Sequence, residues 1–157
     1  MLPRRSHRRP RRGTAAVETA VVLPVYLILL FGVIEFGHAQ LVLNLLNSAC
    51  RNGARIGSTE GTTTANVVTR VNQTVGTVVP TSKITVYVKD ASVFDAGGAT
   101  PTSDSALEAL PNIEVSAAEP RQMFMVRAKV RYNDICLVPM PFLKNVVLDS
   151  QALMRHE

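Results

Sequence analysis

The chain has 157 residues, enough for one domain of ordinary size and too few for a large multidomain enzyme. Hydrophobic residues make up 46% of the sequence and charged residues only 18%, which excludes a disordered polyelectrolyte. The formal charge is +5, but six arginines and no acidic residue lie within the first twelve positions, so the remainder is close to neutral. The chain also lacks Trp. We therefore expect no nucleic-acid partner.

A long apolar segment follows the arginines. Residues 19–34 carry no charge, and residues 14–37, with Glu18 and Glu35 near the ends, are long enough to cross a bilayer as a helix. The basic flank predicts a cytoplasmic N-terminus. We therefore expect a single-pass protein of the inner (cytoplasmic) membrane with an extracytoplasmic head. Two alternatives remain, a buried core helix and a cleaved secretory signal with its small-residue site at 37–39.

The helical pattern continues beyond the apolar segment. Small and apolar residues recur there at three- and four-residue steps, which predicts one helix over residues 14–56 whose outer half packs on a folded head. Pro24 is expected to kink or loosen the membrane half, because it lacks a backbone donor. The stripe consists of Val42, Leu45, Leu46, Ala49, Gly53 and Ile56.

Residues 58–157 are predicted to form the head. A valine stripe indicates a second helix over 64–78, and alternation of apolar and polar residues predicts strands over 83–89, 123–132 and 146–154, each with one solvated face. The segment 91–121 is expected to be a loop that contains a short helix, 104–110, capped by Ser103, and an edge strand over 112–116. Pro139 and Pro141 exclude a regular element in 134–142.

These elements define the expected organisation. Residues 1–13 form a basic cytoplasmic leader, residues 14–57 a long helix that spans the membrane to about position 37, and residues 58–157 an extracytoplasmic head. The fold class is α+β, with a long N-terminal transmembrane helix and a small antiparallel sheet in a pilin-like arrangement.

Three basic residues alternate along the second predicted strand. Arg127, Lys129 and Arg131 occupy its polar face, and we interpret them as a solvated row. The alternative is a surface that binds an acidic partner.

Residues 11–38 resemble the start of the TadE-like family. The matching features are the basic pair before Gly13, Glu18, the Leu23-Pro24 pair and the run 35–37 (EFG). The resemblance continues through 49–56 (ACRNGARI) and returns weakly in 126–132 and 152–157. Members of this family are minor pilins, or pseudopilins, of the tight-adherence (Flp) pilus. The resemblance implies the membrane, other pilin chains, the Tad secretion machinery and a prepilin peptidase as partners.

The resemblance also implies a processing site. The peptidase of such systems cuts after a glycine and leaves a glutamate as the fifth residue, which here gives a cut between Gly13 and Thr14 with Glu18 in the fifth position. Thr19 stands where the family commonly has an aromatic residue.

Two carboxylates in the long helix are candidate assembly residues. A charge inside an apolar segment is costly unless it is paired, and after the cut the α-amino group of Thr14 would lie one turn from Glu18. Glu18 could pair with that group in its own or a neighbouring chain, or simply complement the helix dipole. Glu35 is expected near the outer headgroups, with His38 or a partner helix as company. Glu18, Pro24 and Glu35 are thus the predicted helix-interface residues.

The remaining candidates carry little chemistry. Cys50 and Cys136 both lie on the outer side and are interpreted either as a disulfide or as two buried free thiols. No catalytic motif and no metal-ligand spacing occurs, so we expect neither an enzyme nor a cofactor. The predicted function is that of a minor pilin, and the alternative is a membrane-anchored or secreted binding module that does not polymerise.

Overall fold

The computed structural model describes residues 12–97, 100–138 and 145–157. Most of the predicted leader and both prolines of the predicted irregular segment, Pro139 and Pro141, lie outside the described residues. Helix α1 runs without interruption over Arg12–Gly57 and confirms the helix predicted over 14–56. Its first half is exposed, whereas its second half forms one side of the head.

Helix α2, Thr64–Val75, packs against the outer half of α1. Its N-terminus is capped by the Thr63 hydroxyl, and its three valines, Val67, Val71 and Val75, are buried as predicted. The close approach of α2 to α1 requires Gly53, since a Cβ atom there would lie 2.7 Å from Cγ2 of Val71. The helix ends at Val75, three residues before the predicted end.

A three-stranded antiparallel sheet forms the other side of the head. Its strands are β1 (Ile84–Asp90), β2 (Met123–Arg131) and β3 (Val147–Arg155), in the order β1-β2-β3. In the register Val86 lies opposite Ala128, and Ala128 lies opposite Ser150. All three strands begin and end within one residue of their predicted bounds.

The main core lies between the two helices and one face of the sheet. Alternate residues of β2, among them Phe124, Val126 and Val130, pack there against α1 and α2. The helix stripe that the sequence predicts is the stripe that is buried, with Val42, Leu46 and Ala49 fully enclosed. A long helix that adds its outer half to a small sheet is the predicted α+β architecture, and the structure confirms it.

The second face of β2 is buried as well, contrary to the prediction of one solvated face. The segment between β1 and β2 folds over this face and carries a second small core, formed by Ala91, Leu107 and Met125. Leu107 belongs to the short helix α3, Asp104–Glu108, which begins at Ser103 as predicted. The expected edge strand over 112–116 is wrong, because only Asn112 forms a bridge, to Lys89, and Val115–Ala117 is a 3-10 turn.

Arg127 is therefore not part of a solvated row. Its side chain is only 1% exposed, and its Nη2 donates to Asp104 of α3 and to Asp149 of β3, each at 2.6 Å. Lys129 pairs with Glu108, one turn further along α3. Of the three basic residues only Arg131 is exposed as expected. The acidic partners of this row come from the chain itself, and they fix α3 on the sheet.

Candidate functional site

The first half of α1 is the most unusual surface of the molecule. Its large apolar side chains are exposed on all sides of the helix, from Val17 to Phe36. A helix that is apolar all round requires an apolar environment, and this one is long enough and apolar enough to cross a membrane. It is the one candidate membrane span among the described residues.

Glu18 lies on this exposed helix in a shallow apolar groove. The groove is lined by Ala15, Thr19, Val22, Leu23 and Tyr26 around the carboxylate. The Thr19 hydroxyl is already satisfied, since it donates to the Ala15 carbonyl oxygen at 2.8 Å. Glu18 is the one charged residue among those that line this groove.

Gly13 and Thr14 lie in the first described turns of α1, and both are exposed. No atom lies within 4 Å of the position that a Cβ atom of Gly13 would occupy. Thr14 and Glu18 are four residues apart on a continuous helix and therefore lie on one face, one turn apart. This spacing is the one that the pairing of Glu18 with a new amino terminus requires.

Pro24 lies inside α1, which continues through it as a helix. Because proline has no N–H group, the carbonyl oxygen of Ala20 loses its helical donor. Pro24 therefore leaves a backbone acceptor without its helical donor on the apolar half of the helix, two residues after Glu18. Ala20 and Pro24 are both exposed in the isolated chain.

Glu35 has a different environment from the predicted one. It is 1% exposed and is buried by the head of its own chain. Its carboxylate accepts a hydrogen bond from the Tyr132 hydroxyl, and it accepts further hydrogen bonds from the backbone N–H groups of Leu137 and Val138, each at 3.2 Å. These donors offset the cost of burying the charge.

The residues that bind Glu35 lie in the segment that follows β2. Burial, together with the hydrogen bond and charge of Glu35, raises the pKa of the Tyr132 phenol. We expected His38 to lie with Glu35, but its hydrogen-bond partner is a different residue. Its Nε2 instead lies 3.0 Å from the carbonyl oxygen of Ile135, and because a carbonyl only accepts, Nε2 must carry the proton. Glu35 and His38 together join the start of the head to the segment that precedes β3.

Both cysteines are free thiols in the structure. Cys50 lies in the core and donates to the Ser150 carbonyl oxygen at 3.3 Å. Cys136 lies between two residues that bind Glu35 and His38, and its thiol is 3.5 Å from the Asn133 carbonyl oxygen. Helix α1 rises about 18 Å over the twelve residues from His38 to Cys50. This rise exceeds the separation of about 7 Å between Cα atoms that a disulfide requires.

Sequence reasoning missed the contacts of Glu35 with Tyr132 and of Arg127 with Asp104 and Asp149. A signal for the contact of Glu35 with Tyr132 was present, because Glu35 precedes the buried Val42 by two turns and lies on the same stripe.

Within the described part of the chain no group of three or more His, Cys, Asp or Glu could hold a metal ion.

A single exposed apolar helix that continues into the core of a small α+β head defines a pilin-like protein with a candidate membrane helix. Residues 13–55 match the family model described as TadE-like protein, which confirms the resemblance found in the sequence. The match covers 43 of the 157 residues and suggests a protein associated with the tight-adherence (Tad) pilus. No curated protein and no solved structure is significantly similar to the chain.

Proposed function

We propose that the protein is a minor pilin, or pseudopilin, that takes part in assembly of the tight-adherence pilus. The observation that carries the proposal is the coincidence of the family match with the exposed apolar helix. The matched residues, 13–55, comprise the apolar surface of α1 and the part of α1 that forms the core of the head. One helix thus offers a surface to a bilayer or a filament and holds the head on its outer end.

The proposed membrane arrangement follows from charge. The arginines of residues 1–12 precede the span, so the N-terminus is cytoplasmic and the head extracytoplasmic. The span extends to about residue 37, where the head of the chain begins to bury α1. The protein is thereby anchored in the inner membrane before assembly.

The proposed processing step removes residues 1–13. A prepilin peptidase on the cytoplasmic side cuts between Gly13 and Thr14. The new amino group of Thr14 then pairs with Glu18, in its own chain or in a neighbouring pilin chain. In an apolar environment this pair replaces an isolated carboxylate, and its formation favours a helix packed among other helices.

The contacts of Glu35 and His38 support this cut over a secretory cleavage after Ala39. A mature chain that began at Gln40 would lose the carboxylate that binds Tyr132 and the imidazole that binds Ile135. It would also lose the partly buried Ala39, which packs against the main core. Cleavage at that site would remove part of the folded head.

The experiment is intact-mass measurement of the protein from native membranes. We expect an amino terminus at Thr14, and we expect the Gly13→Leu variant to keep residues 1–13. Gly37→Leu is the matched control, because Gly37 is also an exposed helical glycine with no atom near its Cβ position, and this variant should be cut normally. An amino terminus at Gln40 would establish a secreted protein, and an uncut chain would establish a plain membrane-anchored module.

A further inference from the structure

Residues 135–138, here called the tethered segment, are held against α1 by two side chains. The Glu35 carboxylate accepts from the N–H groups of Leu137 and Val138, and His38 donates to the carbonyl oxygen of Ile135. Glu35 and His38 are three residues apart and therefore share one face of the helix. The carboxylate pairs two backbone N–H groups of the segment, and the imidazole pairs one of its carbonyl oxygens.

The height of the tethered segment on α1 follows from these bonds. A helical side chain covers the turn on the N-terminal side of its own Cα atom. The Glu35 carboxylate, and with it the backbone nitrogen of Leu137 at 3.2 Å, therefore lies level with the turn before Glu35. That turn belongs to the apolar half of the helix, where Phe31 and Ile34 are exposed.

The side chain of Leu137 is exposed although its backbone is anchored. It is 60% exposed, and Phe36 on the adjoining turn of α1 is 67% exposed. A single exposed leucine on a soluble domain has no particular meaning. Leu137 differs because its backbone nitrogen is bonded to Glu35, next to the exposed Phe36, at the level where the helix enters the head.

We propose that the tethered segment is a second membrane contact, in which Leu137 enters the surface of the lipid bilayer beside α1. The inference rests on the proposed membrane span of α1. Lipid is the occupant because the bond to Glu35 holds the backbone of Leu137 at the level of the exposed apolar turns of α1, which the proposed span presents to lipid. The hydrogen bonds of Glu35 allow this contact, since backbone N–H groups near hydrocarbon must be paired within the protein.

Two contact points fix the head relative to the bilayer. A head joined to the membrane by α1 alone is free to tilt and to rotate about the helix axis. With Leu137 also at the bilayer surface, the side of the head that carries the tethered segment faces the membrane. The opposite end, where α1 ends at Gly57 and meets Phe124, faces away from it.

The test uses the fact that the chain contains no Trp. Three single-tryptophan variants of the full-length protein are reconstituted in vesicles of phosphatidylethanolamine and phosphatidylglycerol, with and without brominated acyl chains that quench tryptophan emission. Tyr26→Trp reports on the span and Leu137→Trp on the tethered segment. Leu153→Trp is the matched control, an exposed leucine (40%) near the far end of β3.

We expect the Tyr26→Trp variant to be quenched by bromine in the middle of the acyl chain and the Leu137→Trp variant by bromine near the headgroup. The Leu153→Trp variant should show the same emission in both kinds of vesicle. Quenching at position 26 but not at 137 would overturn the inference and leave the span intact. Equal quenching at 137 and 153 would also overturn it, because the head would then lie on lipid without preference. Absence of quenching at position 26 would overturn the proposed span itself.

Removal of the tether gives a second readout. Glu35→Ala, introduced into the Leu137→Trp variant, should abolish quenching at position 137, because Leu137 and Val138 lose their acceptor. Quenching at position 26 should be retained in the same background, since α1 becomes no less apolar. Full quenching at 137 after the Glu35→Ala change would show that Glu35 does not position the segment.

Discussion

Glu35 is the residue whose chemistry differs most from its expected role. A carboxylate at the end of an apolar span would be costly if it were left unpaired, and here three donors from a distant part of the chain surround it. The side chain thus joins the helix to the head of its own chain. Burial of one charge replaces solvation by water with hydrogen bonds to Tyr132, Leu137 and Val138.

We expect Glu35→Ala to lower the free energy of unfolding of the head by about 2–4 kcal/mol, because it leaves buried donors without an acceptor. Tyr132→Phe should cost less, about 1–2 kcal/mol, since the carboxylate keeps its two backbone donors. Urea titration of the full chain in detergent micelles, followed by far-UV circular dichroism, measures both. Glu60→Ala, at an exposed position after α1, is the control and should change the value by less than about 0.5 kcal/mol. Equal values for Glu35→Ala and Glu60→Ala would contradict the contacts described.

The two cysteines should differ strongly in reactivity. Burial raises the pKa of the Cys50 thiol from 9.0 to about 11, which lowers its thiolate population at neutral pH about a hundredfold before access is considered. Cys136 is only partly buried. Alkylation of the folded protein, followed by peptide mass spectrometry, should therefore label Cys136 and spare Cys50. Both thiols should react in urea without reductant, and failure of either to do so would indicate a disulfide.

At the scale of elements, α3 is held on the sheet by ion pairs between its acidic residues and basic residues of β2. Asp104 and Glu108 are one turn apart on α3, and Arg127 and Lys129 are neighbours on one face of β2. The hydrogen bond and charge of Arg127 lower the pKa of Asp104. Burial alone would lower the pKa of Arg127, but the hydrogen bonds and charges of Asp104 and Asp149 outweigh it and raise that pKa. Both groups therefore stay charged at neutral pH.

Arg127→Ala should lower the free energy of unfolding by about 1–3 kcal/mol. A wholly buried pair would cost about 3–5 kcal/mol when broken, but water can solvate Asp104 and Asp149 once the arginine is gone. Arg131→Ala is the matched control, an exposed arginine four residues along the same strand, and should have little effect. Urea unfolding of the two variants in the same detergent compares them. A larger loss for Arg131→Ala would contradict the assignment of the buried pair.

The elements of the fold were predictable where their periodicity is local. Val67, Val71 and Val75 define α2 by spacing alone, and the alternation in β2 places Phe124 and Val126 on the core face. The burial of Arg127 and Met125 was not predictable in this way. It depends on the segment 91–121, whose Gly, Ser and Pro content predicts a loop but does not indicate what that loop covers. The position of Asp104 over Arg127 is set by contacts between residues 23 positions apart in the chain.

The candidate site residues also differ in whether the local sequence predicts their surroundings. The environment of Glu18 follows from the apolar run around it, because the residues that line its groove all belong to α1. The environment of Glu35 depends on Tyr132 and Leu137, about a hundred residues away, and the run 35–37 alone does not indicate them. Only the spacing from Glu35 to Val42 and Leu46 shows that the carboxylate faces the head.

At the scale of the whole molecule, α1 separates two tasks. Its outer half supplies Val42, Leu46 and Ala49 to the core of the head. Its inner half makes no such contribution, and its apolar residues are exposed over their whole length. Substitutions in the inner half should therefore alter membrane and filament contacts without unfolding the head, because the two halves share no core residue.

Glu18→Ala tests this separation and the proposed assembly role together. The change makes the span more apolar, so membrane insertion should be unaffected or favoured, and the head should unfold at the same urea concentration as that of the wild type. Incorporation into pili should fall, since the amino group of Thr14 loses its partner. A loss of only about 1.4 kcal/mol of association free energy lowers an association constant about tenfold. The Glu60→Ala variant, which lacks a carboxylate of the head, should assemble normally.

The experiment compares pilus number and co-purification with other pilus proteins at matched membrane levels. Equal piliation of the Glu18→Ala and wild-type strains would contradict the pairing mechanism and favour a membrane-anchored module that does not polymerise.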